Sequence, residues 1–259
     1  MFWNKGGKDM GMITIKNQDD LTKIRKAGRI VAEVFELMQE KVRPGITTAE
    51  RNKAAEALIK RRNATAPSRG YAGFPAGTCI SVNQEVIHGI PGRRVLQEGD
   101  IVSVGVVVQL NGFCSDGART YPVGRIAPEV QHLLDITQLC LAEGINQAQI
   151  GKRLGDIGSR VQQIAEAEGY GVVRDYVGHG IGREMHEAPE VPNFGVAGRG
   201  LRLVKGMVLA IEPMITMGTH EVYCLKDGWT VVTKDALPSA HFENTVAITP
   251  DGPQIMTAL

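Results

Sequence analysis

GDIVSVGVVVQLNGFCSDGARTYPVG, residues 99–124, is the stretch whose reading decides the fold. Two runs rich in apolar and β-branched residues, 101–108 and 113–123, flank Asn111-Gly112, and Asn-Gly between two such runs is a strong hairpin signal. Side chains alternate faces along each strand, and in an antiparallel ladder closed at this turn positions 105 and 116 share a face. That face carries a carboxylate at Asp116 and no side chain at Gly105, although glycine weakens a strand interior. The hairpin therefore presents one acid on this face with a glycine beside it.

Upstream, Asp19 and Asp20 can cap a helix whose apolar residues Leu21, Ile24, Ile30, Val31, Val34, Phe35 and Met38 follow helical spacing. Arg43-Pro44-Gly45 ends it, and Thr47-Thr48 with Glu50 opens a second helix to about residue 62. A Gly/Pro-rich loop, SRGYAGFPAG (68–77), precedes a short strand at 79–82. Downstream, Pro128 begins a helix through about residue 142, and another spans about 152–168. From Tyr170 onward the chain reads mainly as strands, in GVVRDYVG, MVLAIEPMI, EVYCLKDGWTVVTKD and AHFENTVAIT. Helices precede strands in both halves, which predicts an α+β fold with a large, mostly antiparallel sheet. A faint repeat, LQEGDIVSVG (96–105) and LVKGMVLAIE (203–212), aligns Gly105 with Glu212, so the glycine occupies the slot where the other half has an acid.

The chain has 259 residues with 29 basic and 28 acidic side chains, so no global field marks a nucleic-acid or membrane partner. Cys79, Cys114, Cys140 and Cys224 are widely spaced with no CxxC pair, the usage of a reducing compartment. The leader MFWNKGGKDMG has no signal-peptide apolar stretch, and no run is long enough to span a membrane. The expectation is a flexible leader at 1–11, a single catalytic domain at 12–259 and a cytoplasmic location.

Six histidines occur, and three sit beside Gly or Pro in segments read as loops after strands: His88 in VIHGIPG, His179 in VGHGIG and His186 in EMHEAPE. Glu212 ends the apolar run MVLAI, and Glu243 lies within a strand-like run; a buried carboxylate is costly unless paired or metal-bound. With Asp116 these make an oxygen-rich, nitrogen-poor donor set suited to Mn, Fe, Co or Zn, although separate salt bridges would also satisfy each acid. GHGIG lacks the full dinucleotide-loop spacing, and no G-x-S-x-G elbow, P-loop, H-E-x-x-H or direct nucleic-acid motif occurs.

Taken together, VIHGIPG, GDIV, VVRDYVGHGIGREMHEAPEVPNF, GMVLAIEPM, KDGWTVVTKD and SAHFENTVAIT resemble the type I methionine aminopeptidases, over about 13–257. The resemblance implies the pita-bread metallopeptidase fold, with pseudo-twofold halves and a curved, mostly antiparallel sheet covered by helices. It implies removal of N-terminal methionine from nascent proteins and peptides by a monomer, with the ribosome as a further partner. Two divalent metals are held in that family by two hairpin Asp, one His and two Glu. Here these fall on Gly105, Asp116, His179, Glu212 and Glu243, so the first ligand is absent. His88 matches the residue contacting the scissile amide, His186 the one steadying the carbonyl oxygen, and Glu212 the general base. Tyr71, Phe74, Cys79 and Trp229, with His88 and His186, correspond to the substrate-binding set. Ala72, Met185, Ser115 and Gly117 also depart from the family pattern. The resemblance implies one tight metal position, a second that is weak or absent, and reduced activity; Cys114, two residues from Asp116 on the same strand face, is a candidate substitute ligand. The alternatives are an inactive relative retained as a binding module and another pita-bread hydrolase acting on X-Pro peptides.

Overall fold

The computed structural model describes residues 12–259, so the 1–11 leader lies outside the described residues. Helix α1 (Gln18–Lys41) starts two to three residues earlier than Asp19 and Asp20 suggest, because Asn17 and Asp20 form a reciprocal capping box. Helix α2 (Thr48–Arg61) is capped by Thr47 with Glu50, the pair read from the sequence. A single turn of 3-10 helix, Tyr71–Gly73, interrupts the Gly/Pro-rich loop. Strands β1 (Cys79–Val82) and β2 (Glu85–Ile87) lead into the long hairpin β3 (Ile101–Leu110) and β4 (Phe113–Pro122). Asn111 and Gly112 both take positive φ, 51° and 76°, as a tight two-residue hairpin turn requires.

The second half begins with α3 (Pro128–Gln147) and α4 (Leu154–Ala167). Helix α3 runs five residues beyond the expected end at 142, because Gly144 and Ile145 are buried against the core and packing extends it. The remaining strands are β5 (Gly171–Val172), β6 (Gly178–Gly180), β7 (Glu187–Val191), β8 (Val208–Ile211) and β9 (Met214–Thr216). They are followed by β10 (Val222–Cys224), β11 (Val231–Thr233), β12 (Ser239–His241), β13 (Glu243–Thr249) and β14 (Gly252–Ile255). Strands β2, β7 and β14 went unread in the sequence: each is five residues or fewer and carries polar or proline residues without a clear alternation.

Eight strands form one sheet in the order β1-β3-β4-β13-β8-β6-β7, with β14 added beside β13. Two three-stranded sheets, β10-β11-β2 and β12-β9-β5, flank it. All of these pairings are antiparallel. Val102, Val104, Val106 and Val108 of β3 pack with α1 and α2 in one apolar core, and α3 and α4 pack with β8 and β13 in another. One helix pair thus covers each half of the sheet, and the odd-numbered residues of β3 are left on its other face.

The sequence repeat has a structural counterpart. Leu96 and Leu203 are both fully buried, and Gly99 and Gly206, three residues on, take positive φ of 93° and 85° immediately before β3 and β8. Gly105 pairs with Ala118, Ala118 with Glu243, and Asn244 with Ile211, which brings Gly105 and Glu212 onto one row across the sheet.

Candidate metal centre and active-site cavity

The helix-free face of the large sheet opens into a cavity of about 360 Å³, within the range of small-ligand sites. Cys79, His88, Gly105, Asp116, His179, His186, Glu212, His241 and Glu243 are among its lining residues. The alternation of each strand explains their convergence. On β4, Asp116 stands on the cavity face, while Arg119 points to the helix side and lies over the Phe35 ring, 4.6 Å from its centre. Its Nη1 donates to the Glu243 carbonyl oxygen and its Nη2 to Asn244 Oδ1, so this guanidinium organises backbone beneath the site rather than pairing with its carboxylates.

Second partners fix each acid in place. Asp116 N–H donates to Thr245 Oγ1, and that hydroxyl donates back to the Asp116 carbonyl, which locks β4 to β13 at this point. Asn193 Nδ2 donates to the Glu212 carbonyl oxygen. His179 lies in strand β6 rather than in a loop, and its Nδ1 is 2.9 Å from the Gly180 carbonyl oxygen. A carbonyl only accepts, so Nδ1 carries a proton and Nε2 is the ring nitrogen turned toward the acids, the orientation a metal-ligating histidine requires. His179 Nε2 is 3.9 Å from Asp116 Oδ2 and 3.6 Å from Glu212 Oε1.

Electrostatics identify what the cluster is built to hold. Asp116, Glu212 and Glu243 are all buried, and no Lys or Arg forms an ion pair with any of them among the described residues. Burial, followed by the Glu212 charge, pushes the Asp116 carboxyl well above its ordinary range. Burial and the charges of Asp116 and Glu212 do the same to Glu243, whose Oε1 has no hydrogen-bond partner. Like charges crowded without a counterion are unfavourable in a low-dielectric interior, and a divalent cation is the group that relieves them. The oxygen-rich donors with one imidazole fit such an ion. Two donor groups lie within 4.8 Å in the structure: Asp116, His179 and Glu243, and Glu212, His241 and Glu243.

His241 was not singled out in the sequence. Its signal was available: it precedes Glu243 by two residues, the spacing that puts two strand side chains on one face. Cys114, the substitute ligand considered from the sequence, belongs to neither group. Its Sγ is buried and donates to the Arg183 carbonyl at 3.7 Å, and burial pushes the thiol up to about 12.

Gly105 stands opposite Cys79, and a Cβ built on it would have only the Cys79 Cβ for company, at 3.8 Å. Neither packing nor backbone conformation requires glycine there. Gly117 differs: a Cβ would lie 2.9 Å from Phe35 and 3.1 Å from Val31, so helix α1 excludes the side chain. Met185 fills a buried apolar cluster against which Tyr71 packs. Nothing in the structure explains Ala72, which takes φ of 46°.

Two further histidines border the acids. The His186 ring lies 4.3 Å from that of His179, and His88 lines the same cavity with φ of 59°. Burial holds His88 down at about 3, and burial with the neighbouring His179 and His88 holds His186 well below its ordinary value. Both are therefore neutral near pH 7, each with one N–H to donate. Cys79 reaches the cavity wall, whereas Tyr71, Phe74 and Trp229 stand one ring further out. Tyr71 contacts His186 at 5.7 Å between centroids, Phe74 contacts Trp229 at 5.0 Å, and Trp229 contacts His88 at 6.5 Å.

Known proteins are similar to this chain over nearly its whole length. Residues 22–250 match the model of Metallopeptidase family M24. The methionine aminopeptidase of Clostridium perfringens is 55% identical over 248 residues, which cover 96% of this chain and all of that protein. Methionine aminopeptidase 1 of Bacillus subtilis is 46% identical over 246 residues, 95% of this chain and 99% of its own. The crystal structure of methionine aminopeptidase from Rickettsia prowazekii superposes with a TM-score of 0.94 at 42% identity, covering 95% of this chain and 100% of that one. A fold of helix-covered antiparallel strands, a buried acid–imidazole cluster and matches of this length place the chain in metallopeptidase family M24, among the methionine aminopeptidases of the pita-bread fold.

Proposed function

We propose that this chain removes the N-terminal methionine from nascent proteins and peptides in the cytoplasm, working as a monomeric catalytic domain over 12–259. The observation that carries this reading is the buried set Asp116, His179, Glu212 and Glu243 facing a cavity bordered by two neutral histidines. A divalent cation such as Co, Mn, Fe or Zn in that set supplies Lewis acidity, acidifying water and polarising the scissile carbonyl.

The protein's own groups account for the remaining steps. Glu212, adjoining His179 and held through its backbone by Asn193, takes the proton from the attacking water. His186 donates to the carbonyl oxygen as negative charge develops there. His88, kept neutral by burial, donates to the scissile amide. Cys79, with Tyr71, Phe74 and Trp229 behind the histidines, forms a soft and aromatic surface for a thioether side chain. No helix among the described residues is long and apolar enough to cross a membrane, consistent with substrates presented in water, including chains emerging at the ribosome.

Gly105 qualifies the metal chemistry. Asp116, His179, Glu212 and Glu243 complete one position, while the position on the Gly105 side retains only Asp116 and Glu243. That second position binds weakly, and activity is reduced rather than lost. An inactive binding module is the second reading, favoured by the departure at a ligand position. Release of methionine from a Met-Ala-Ser peptide separates the two. Turnover that requires added Mn, Fe or Co and disappears in E212Q and H179A supports the enzyme; no turnover at saturating metal supports the binding module.

A further inference from the structure

The second donor group centres on a residue outside the five positions aligned with metal ligands. His241 ends β12, two residues before Glu243, and its side chain is more than nine-tenths buried on the cavity wall. Its Nε2 lies 3.3 Å from Glu212 Oε2, yet no hydrogen bond forms there, and Nε2 has no other partner. Glu243 Oε1, also buried and unpartnered, belongs to the same group. Two orphaned buried donors grouped with the Glu212 carboxylate, one ligand atom from each residue lying within 4.8 Å of the others, are costly as they stand and satisfied together by a cation.

The sheet register fixes which side of the centre this is. Thr120 Oγ1 accepts from His241 N–H and donates to the His241 carbonyl, and Thr120 pairs with Ser103. Gly105 is on the neighbouring row with Ala118 and Glu243. His241 therefore does not fill the hole at Gly105; it stands one row away, next to Glu212 and Glu243. We propose that His241, Glu212 and Glu243 form a second divalent-cation position, displaced from the Gly105 side and sharing Glu212 and Glu243 with the first. The loss of a carboxylate at 105 is then accompanied by an imidazole that draws the second ion to the other flank of the centre. This rests on the metallopeptidase reading, because Glu212 and Glu243 must already be committed to a cation.

The test is equilibrium dialysis of the full chain against Mn²⁺, with pulsed EPR of the bound Mn²⁺ for coupling to imidazole nitrogen. Two ions per chain are expected, with nitrogen coupling from two imidazoles. H241A should leave the tighter ion in place, remove one coupling, and weaken the second ion by at least about tenfold, the lower bound for losing a group that merely supports a ligand. H179A should remove the other coupling. Unaltered binding of both ions in H241A overturns the proposal. If that variant does not fold, a single imidazole coupling in the unaltered chain at full occupancy overturns it instead, while leaving the metallopeptidase reading intact. Absence of any tight Mn²⁺, unchanged in H179A, would overturn both.

Discussion

Replacing Gly105 with aspartate restores the carboxylate that the hairpin lacks, and the structure sets what that should do. The new Cβ meets only the Cys79 Cβ at 3.8 Å, and Gly105 is not in the left-handed region, so the substitution fits without strain. Removing glycine from a strand interior is favourable by about 0.5–1 kcal/mol for alanine. Aspartate offsets this gain, because it adds a carboxylate beside Asp116 and Glu243, whose carboxyls burial and neighbouring carboxylate charge already push upward. G105D should therefore show little change, or a small loss, when metal is removed. With metal the sign reverses. An additional ion present at 100 times its Kd adds about 2.7 kcal/mol through binding to the folded state alone. At about 2–4 °C per kcal/mol for a chain near this size, that is an extra Tm gain of about 5–11 °C over the unaltered chain. The assay is thermal unfolding with and without saturating Mn²⁺, beside metal analysis of the same samples. G105A is the control, expected to be slightly stabilised with no added metal response. Equal metal-induced shifts in G105D and the unaltered chain, with no added ion, would refute the role given to position 105.

Other expectations follow from the same geometry. Asp116 and Glu243 have folded-state pKa values raised above ordinary values of 3.8 and 4.5, so the metal-free folded chain holds protons more tightly than the unfolded one. Their contribution is favourable at low pH and is lost as pH rises through the raised values, by up to about 1.4 kcal/mol per pH unit for each group. The Tm gap between metal-loaded and chelator-treated protein should widen from pH 5 to pH 8, and metal binding should release protons in calorimetry run in several buffers; a constant gap without proton release contradicts this. H186A should lower kcat by about 10²–10³-fold, the usual loss for removing one donor to a developing oxyanion, with metal content unchanged. Gly28→Ala should destabilise the chain by about 1–3 kcal/mol, because its Cβ would lie 2.1 Å from the Met256 carbonyl oxygen, whereas G105A should not. Denaturant unfolding of the two variants makes that comparison.

Much of this architecture was readable from local chemistry. The hairpin followed from Asn111-Gly112, the second helix from Thr47 with Glu50, and the shared face of Gly105 and Asp116 from alternation alone. What local signals missed depended on long-range packing. The last turns of α3 form because Gly144 and Ile145 meet the core, and the short strands β7 and β14 exist through neighbours distant in sequence. At the site, the acids were legible because carboxylates in apolar runs are conspicuous. His179 was placed in a loop because the glycines on either side read as a turn, although they permit tight strand pairing there: a Cβ at Gly178 would lie 2.3 Å from the Ala210 carbonyl oxygen. His241 carries only the weak local signal of its spacing from Glu243; its importance comes from Glu212, a neighbour distant in sequence, 3.3 Å away.

The most direct test is methionine release from Met-Ala-Ser measured alongside metal content, on one sample titrated from the chelated state with Mn²⁺. Release should rise in step with filling of the first ion, and E212Q, which loses both a ligand and the proton acceptor, should show no turnover at any Mn²⁺ concentration. No release at any occupancy, from a chain that binds the ion, would contradict the proposed activity.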